Sequence, residues 1–135
     1  MSNVDPTMIE HFMKNGASYW NAGNREGYMG LYQTAAPDGL EISYAGRAEQ
    51  KDGWLILEEM WDKHNSQIEI DTVVTIINGD EAAIHYRNRI VGTEHVILSL
   101  ETYHFTPGKL SVKYYLLPPN MYDSELAQFR GFAIK

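Results

Sequence analysis

The residues best suited to chemistry in this chain are Glu101 and Lys113. They lie in two runs of strand-like alternation, 95–105 and 109–117, joined by Thr106-Pro107-Gly108. A three-residue loop there sets Phe105 against Lys109, Tyr103 against Ser111 and Glu101 against Lys113, so that Glu101, Tyr103, Lys113 and Tyr115 share one face of a hairpin. A two- or four-residue turn sets Tyr114 opposite Glu101 instead. A carboxylate and an ammonium among aromatic rings tune each other's proton affinity. Glu101 would take a proton from carbon or hydroxyl while Lys113 or a tyrosine donates to the oxygen that gathers charge. The hydrophobic pattern alone points the other way. Val96, Leu98 and Leu100 make the even-numbered face look like core, which leaves Glu101 and Lys113 as a solvent-facing ion pair of little energetic weight.

Other chemistries find less support. The chain has no cysteine, which excludes disulfides, thiolate catalysis and sulfur-ligated metals. It has no Gly-x-Ser-x-Gly elbow and no glycine-rich phosphate loop, so nucleophilic and nucleotide-dependent catalysis are not expected and any enzyme here works without a cofactor. His11 and His64 fall on helical stretches without a second ligand three or four residues away, and His85, His95 and His104 do not share one strand face; no metal site is expected. His64 either reaches a cavity as a proton shuttle or serves as a cation at a helix C-terminus. Arg87 and Arg89 with His85 read as a solvated or partner-contacting stripe before an anion site. A formal net charge of -7 repels nucleic acid and anionic lipid, so neither is an expected partner. The start of the chain has no cationic or apolar leader and no run is long enough to span a bilayer, so a cytoplasmic protein is expected.

The elements that must position these residues follow from periodicity. At 135 residues, with 44% hydrophobic and 21% charged side chains, the chain is sized for one domain, 1–135, with a core that buries roughly two thirds of the unfolded surface. Met8, Ile9, Phe12, Met13, Tyr19 and Trp20 recur at helical spacing behind an Asp5-Pro6 start. Gly23 can end that helix, and Asn24 can cap a second one carrying Tyr28, Leu31 and Tyr32. A short strand over 40–44 and a polar connection over 45–51 follow. A third helix after Asp52 then aligns Trp54, Leu57, Met60, Trp61 and His64. From 67 onward the β-branched runs 67–77, 81–91, 95–105 and 109–117, split by Asn78-Gly79-Asp80, Gly92-Thr93-Glu94 and Thr106-Pro107-Gly108, predict an antiparallel meander. The fold class is α+β, with helices on one face of a curved sheet. Pro118-Pro119 ends the sheet. The tail, 120–135, carries Leu126, Phe129 and Phe132 and either caps the open end of the sheet or crosses to a partner.

Two stretches sharpen this into a resemblance. Tyr19-Trp20-Asn21-Ala22-Gly23-Asn24 with Tyr28-Met29-Gly30-Leu31-Tyr32, and Glu101 through Leu110 (ETYHFTPGKL), resemble the opening and last hairpin of the NTF2-like superfamily. That superfamily is the cone-shaped α+β fold of SnoaL-like polyketide cyclases and ketosteroid isomerases. The resemblance implies three N-terminal helices on the concave face of a mainly antiparallel sheet, with the ligand held inside. It places Glu101 in the pocket, where those isomerases carry an aspartic acid, sends Tyr86 and Asn88 inward, and puts Tyr44 near their aspartate base. It also shows departures: Gly16 stands where their oxyanion tyrosine does, and Tyr44 is no carboxylate, so the isomerase set is absent. The expected site is Glu101, Lys113 and Tyr44 for chemistry, with Trp20, Tyr86, Asn88, Tyr103, Tyr115 and His64 around the substrate, although aromatics at such spacings are often plain core. The expected activity is cofactor-independent acid–base catalysis, as an isomerase, cyclase or lyase, on a small hydrophobic carbonyl or phenolic molecule. A non-catalytic binding protein and an assembly module are the alternatives, and a homodimer through the convex face with Val96, Leu98 and Leu100 is the expected assembly.

Overall fold

The computed structural model describes residues 4–46 and 51–116; the expected sheet-ending prolines and the tail 120–135 lie outside the described residues. Three helices start at side-chain caps that satisfy otherwise unpaired backbone N–H groups. Asp5 accepts from the Thr7 N–H at 2.9 Å to open α1 (Pro6–Asn21). Asn24 accepts from the Gly27 N–H at 2.9 Å to open α2 (Arg25–Ala35). Asp52 accepts from the Trp54 N–H at 2.9 Å to open α3 (Gly53–His64). Gly23 takes a φ of 67° between the first two helices, the left-handed conformation that glycine adopts without steric cost.

The strands are β1 (Gly39–Tyr44), β2 (Lys51–Asp52), β3 (Ile68–Asn78), β4 (Glu81–Ile90), β5 (Val96–Thr106) and β6 (Lys109–Leu116). They form one curved sheet in the order β2-β1-β6-β5-β4-β3, antiparallel except where β1 runs parallel to β6. The short β2 begins at the last residue of the stretch expected to be a polar connection and pairs Lys51 with Ile42 and Asp52 with Glu41. Ile9, Phe12, Leu57, Ile84, Phe105, Leu110 and Val112 form the centre of a core between the helices and the inner face of the sheet.

The last hairpin differs from the three-residue loop. Thr106 pairs with Lys109, so the turn has two residues, and Tyr114 stands opposite Glu101 while Lys113 stands opposite Thr102. Proline followed by a glycine at φ 73° is the pattern of a type II turn. The shift of one residue reverses the faces of β6. Lys113 and Tyr115 point outward, both exposed, with the Lys113 ammonium 5.3 Å from the Tyr115 ring centre. Neither can serve a site on the inner face. Val96 and Leu98 also point outward but are buried within the chain in a small cluster of their own, whereas Leu100 is 42% exposed.

Candidate active site

Trp20 and Asn21, the centre of the opening motif, act first as structural ties. The Trp20 indole N–H donates to the Ile68 carbonyl at 2.9 Å, and the Asn21 amide exchanges two bonds with the backbone of Ile70, at 2.7 and 2.8 Å. Asn21 thus pairs with β3 as a neighbouring strand would, which fixes the end of α1 against that strand. Asn65 completes the join by donating to the Trp20 carbonyl at 2.8 Å. The helices are thereby held over the inner face with a cavity of about 250 Å³ between them.

Inner-face residues of β5 alternate as Ile97, Ser99, Glu101 and Tyr103, all of which line the cavity. Glu101 is the only carboxyl among the described lining residues, and it is buried. Tyr103 donates its hydroxyl proton to Glu101 Oε1 at 2.5 Å. Asn88, on β4, donates both amide protons, one to the Ile97 carbonyl at 3.0 Å and one to Ser99 Oγ at 2.9 Å. That arrangement leaves the Ser99 proton to bond Glu101. Burial pushes the Glu101 carboxyl up from 4.5 to about 7, and the bonds from Tyr103 and Ser99 hold it from rising further. No Lys or Arg is among the described lining residues to offset the cost of its charge.

A layer of phenols surrounds this carboxyl. Tyr28 and Tyr32 on α2 lie with their hydroxyl oxygens 3.4 Å apart, and Tyr44 stacks on Tyr114 with ring centres 5.3 Å apart. Burial holds the hydroxyls of Tyr28, Tyr32, Tyr86, Tyr103 and Tyr114 well above the ordinary range, so they stay protonated and donate. Of the residues expected at the site, Glu101, Tyr44, Trp20, Tyr86, Asn88, Tyr103 and His64 line the cavity; His64 is exposed at its rim. Lys113 and Tyr115 do not. Lys113 instead lines a groove of about 540 Å³ on the outer face with His104, Glu81 and Ser111. That groove is larger, but the carboxyl, amine and imidazole groups among its described lining residues, those of Glu41, Glu81, His104 and Lys113, are all exposed, whereas the inner cavity has the buried carboxyl of Glu101. Ser99, Tyr28 and Tyr32 join the site beyond expectation, and Tyr114 joins it as the two-residue alternative for the last turn implies. The two-residue spacing of Ser99, Glu101 and Tyr103 was the signal for the first of these. Among the described residues no group of three His, Asp or Glu side chains could hold a metal, and no helix is long and apolar enough to cross a membrane.

No family model matches the sequence, and no curated protein matches it. Solved structures do. An NTF2-like protein of unknown function from Burkholderia xenovorans aligns at 14% identity with a TM-score of 0.65, covering 91% of this chain and 93% of that one. A candidate ketosteroid isomerase from Kribbella flavida aligns at 8% identity and a TM-score of 0.66, over 85% and 82%. A candidate SnoaL-like polyketide cyclase from Jannaschia aligns at 10% identity and a TM-score of 0.62, over 100% and 99%. At such identities the likeness speaks for backbone and not for chemistry. The chain has the α+β fold of the NTF2-like proteins, as its opening motif and last hairpin led us to expect.

Proposed function

We propose that the protein is a cofactor-independent acid–base enzyme acting on a small apolar carbonyl or phenolic compound, with Glu101 as the group that takes and returns the proton. One observation carries the reading: a single buried carboxyl, lifted to about 7, faces a cavity of aromatic rings and phenolic donors with no cation beside it. A carboxyl titrating near neutrality is well matched to both halves of a proton transfer. The dry, apolar wall strengthens any hydrogen bond made to a developing enolate or phenolate oxygen. Isomerisation, cyclisation and elimination all begin with such a step, and the candidate isomerase and cyclase among the structural neighbours are consistent with that class. Tyr44 takes the role of a wall and donor, not of a base, because its phenol is held against Tyr114. Self-association through the outer face goes with this reading, on the exposed Val74, Ile76, Leu100 and Tyr115; sedimentation equilibrium decides it.

The test is hydrogen–deuterium exchange at the carbon next to the carbonyl of indanone and tetralone, followed by NMR in heavy water. The wild type should accelerate exchange, and Glu101→Gln should abolish the acceleration while still folding. Binding without exchange would make the protein a carrier or sensor of such molecules instead of an enzyme.

A further inference from the structure

The cavity contains a hydroxyl that the protein leaves unused. Tyr28 and Tyr32 bond each other, and Tyr103 spends its proton on Glu101. Tyr86 is also buried and also lines the cavity, but its hydroxyl takes part in none of these bonds. No sealed side-chain oxygen or nitrogen among the described residues lacks a partner, so the Tyr86 oxygen must reach the open space of the cavity. Its ring stands on β4 directly across from Ser99, one diagonal step from Glu101 on the same face of the sheet. The oxygen ends against α1 at Gly16, 3.9 Å from where a Cβ there would lie. A Cβ at Gly16 would only touch that hydroxyl, whereas a longer side chain there would crowd it.

Size and charge limit what can meet that hydroxyl. A cavity of 150 Å³ takes up benzene, so about 250 Å³ holds a molecule of about ten non-hydrogen atoms. A steroid nucleus, at about twenty, exceeds it twofold. With Lys113 on the outer face and no other Lys or Arg among the described lining residues, an anionic ligand would meet no counter-charge beside Glu101.

We infer that Tyr86 is the hydrogen-bond donor to the substrate's carbonyl oxygen, and that the substrate is an uncharged ketone of one or two fused rings. This rests on Glu101 being the proton-transfer group. In the step itself the Glu101 carboxylate removes a proton from the carbon next to the carbonyl. The C–H electron pair becomes a carbon–carbon π bond, the carbonyl π pair moves onto oxygen, and the Tyr86 O–H bonds that oxygen. Return of the proton from Glu101 to carbon restores the carboxylate, with no other reactant consumed.

The test compares wild type, Tyr86→Phe and Gly16→Leu with indanone as the probe. Exchange kinetics should show kcat falling about a hundredfold in Tyr86→Phe, as for loss of one donor to a developing oxyanion, with little change in KM. The infrared carbonyl band of bound indanone should lie at lower frequency in the wild type than in Tyr86→Phe. Gly16→Leu, which adds a better helix former, should fold and lower kcat by crowding the hydroxyl. A steroid ketone should fail to bind. An unchanged carbonyl band and kcat in Tyr86→Phe would overturn the role of Tyr86, and tight steroid binding would overturn the size class. If those results came with exchange that still needs Glu101, this inference alone would fall; wild-type protein inert toward both indanone and tetralone would remove the reading beneath it as well.

Discussion

Replacing Glu101 by Gln should change how stability depends on pH, and by an amount the structure sets. In the unfolded chain the carboxyl ionises near its ordinary value of 4.5, whereas in the folded protein burial keeps it protonated up to about 7. Below 4.5 both states carry the proton, and the group contributes nothing to the pH dependence. Between 4.5 and 7 the folded state binds more protons than the unfolded one, so stability falls as pH rises; above about 7 the loss is complete. At about 1.4 kcal/mol per pH unit, the wild type should lose about 3 kcal/mol across this window through Glu101 alone. Glutamine has no proton to lose there. Thermal melts of both proteins from pH 4 to pH 9 should therefore diverge, with the Tm of Glu101→Gln gaining on the wild type by roughly 10 °C over the window. Taking the difference between the two proteins cancels every other titrating group. Parallel Tm profiles would refute the claim that Glu101 is buried without a compensating charge.

Two further outcomes test the surroundings of that carboxyl. Tyr103→Phe removes a bond that favours the ionised form, so the midpoint of Glu101, read from the carboxyl carbon by NMR, should move up from about 7 by about one pH unit; a downward move would contradict the geometry. Lys113→Met should leave exchange of indanone unchanged and alter stability by less than about 0.5 kcal/mol in a denaturant titration, because the ammonium sits exposed on the outer face.

The helices were legible because their ends are written in local chemistry: Asp5, Asn24 and Asp52 each cap the helix that follows, and Gly23 supplies the left-handed turn between two of them. The order of the meander was legible for the same reason, from its turn residues. The register of the last hairpin was not. Thr106-Pro107-Gly108 suits two loop lengths, and the contacts that accompany the shorter one come from another part of the chain. The Asp38 N–H donates to the Gly108 carbonyl at 2.7 Å, and the Asp38 carboxylate occupies the space where a Cβ on residue 108 would lie. The face of β5 was misleading by hydrophobicity, since Val96 and Leu98 bury on the outer side while Ser99 and Glu101 occupy the inner one. Apolar alternation reports which side is dry, and here the outer side is dry as well at Val96 and Leu98, though not at Leu100; the motif resemblance was needed to say which side faces the helices. Tyr28 and Tyr32 read from sequence only as the buried stripe of α2, because periodicity cannot tell a ring that fills a core from one that presents its hydroxyl to a cavity.

The pH dependence of kcat/KM for indanone exchange tests the central claim most directly, because it reports the proton state of the essential group in the free enzyme. With Glu101 as the base, the rate should rise with pH and level off above a midpoint near 7, and the profile should vanish in Glu101→Gln. A midpoint near 4.5, or a rate profile that survives the substitution, would contradict it.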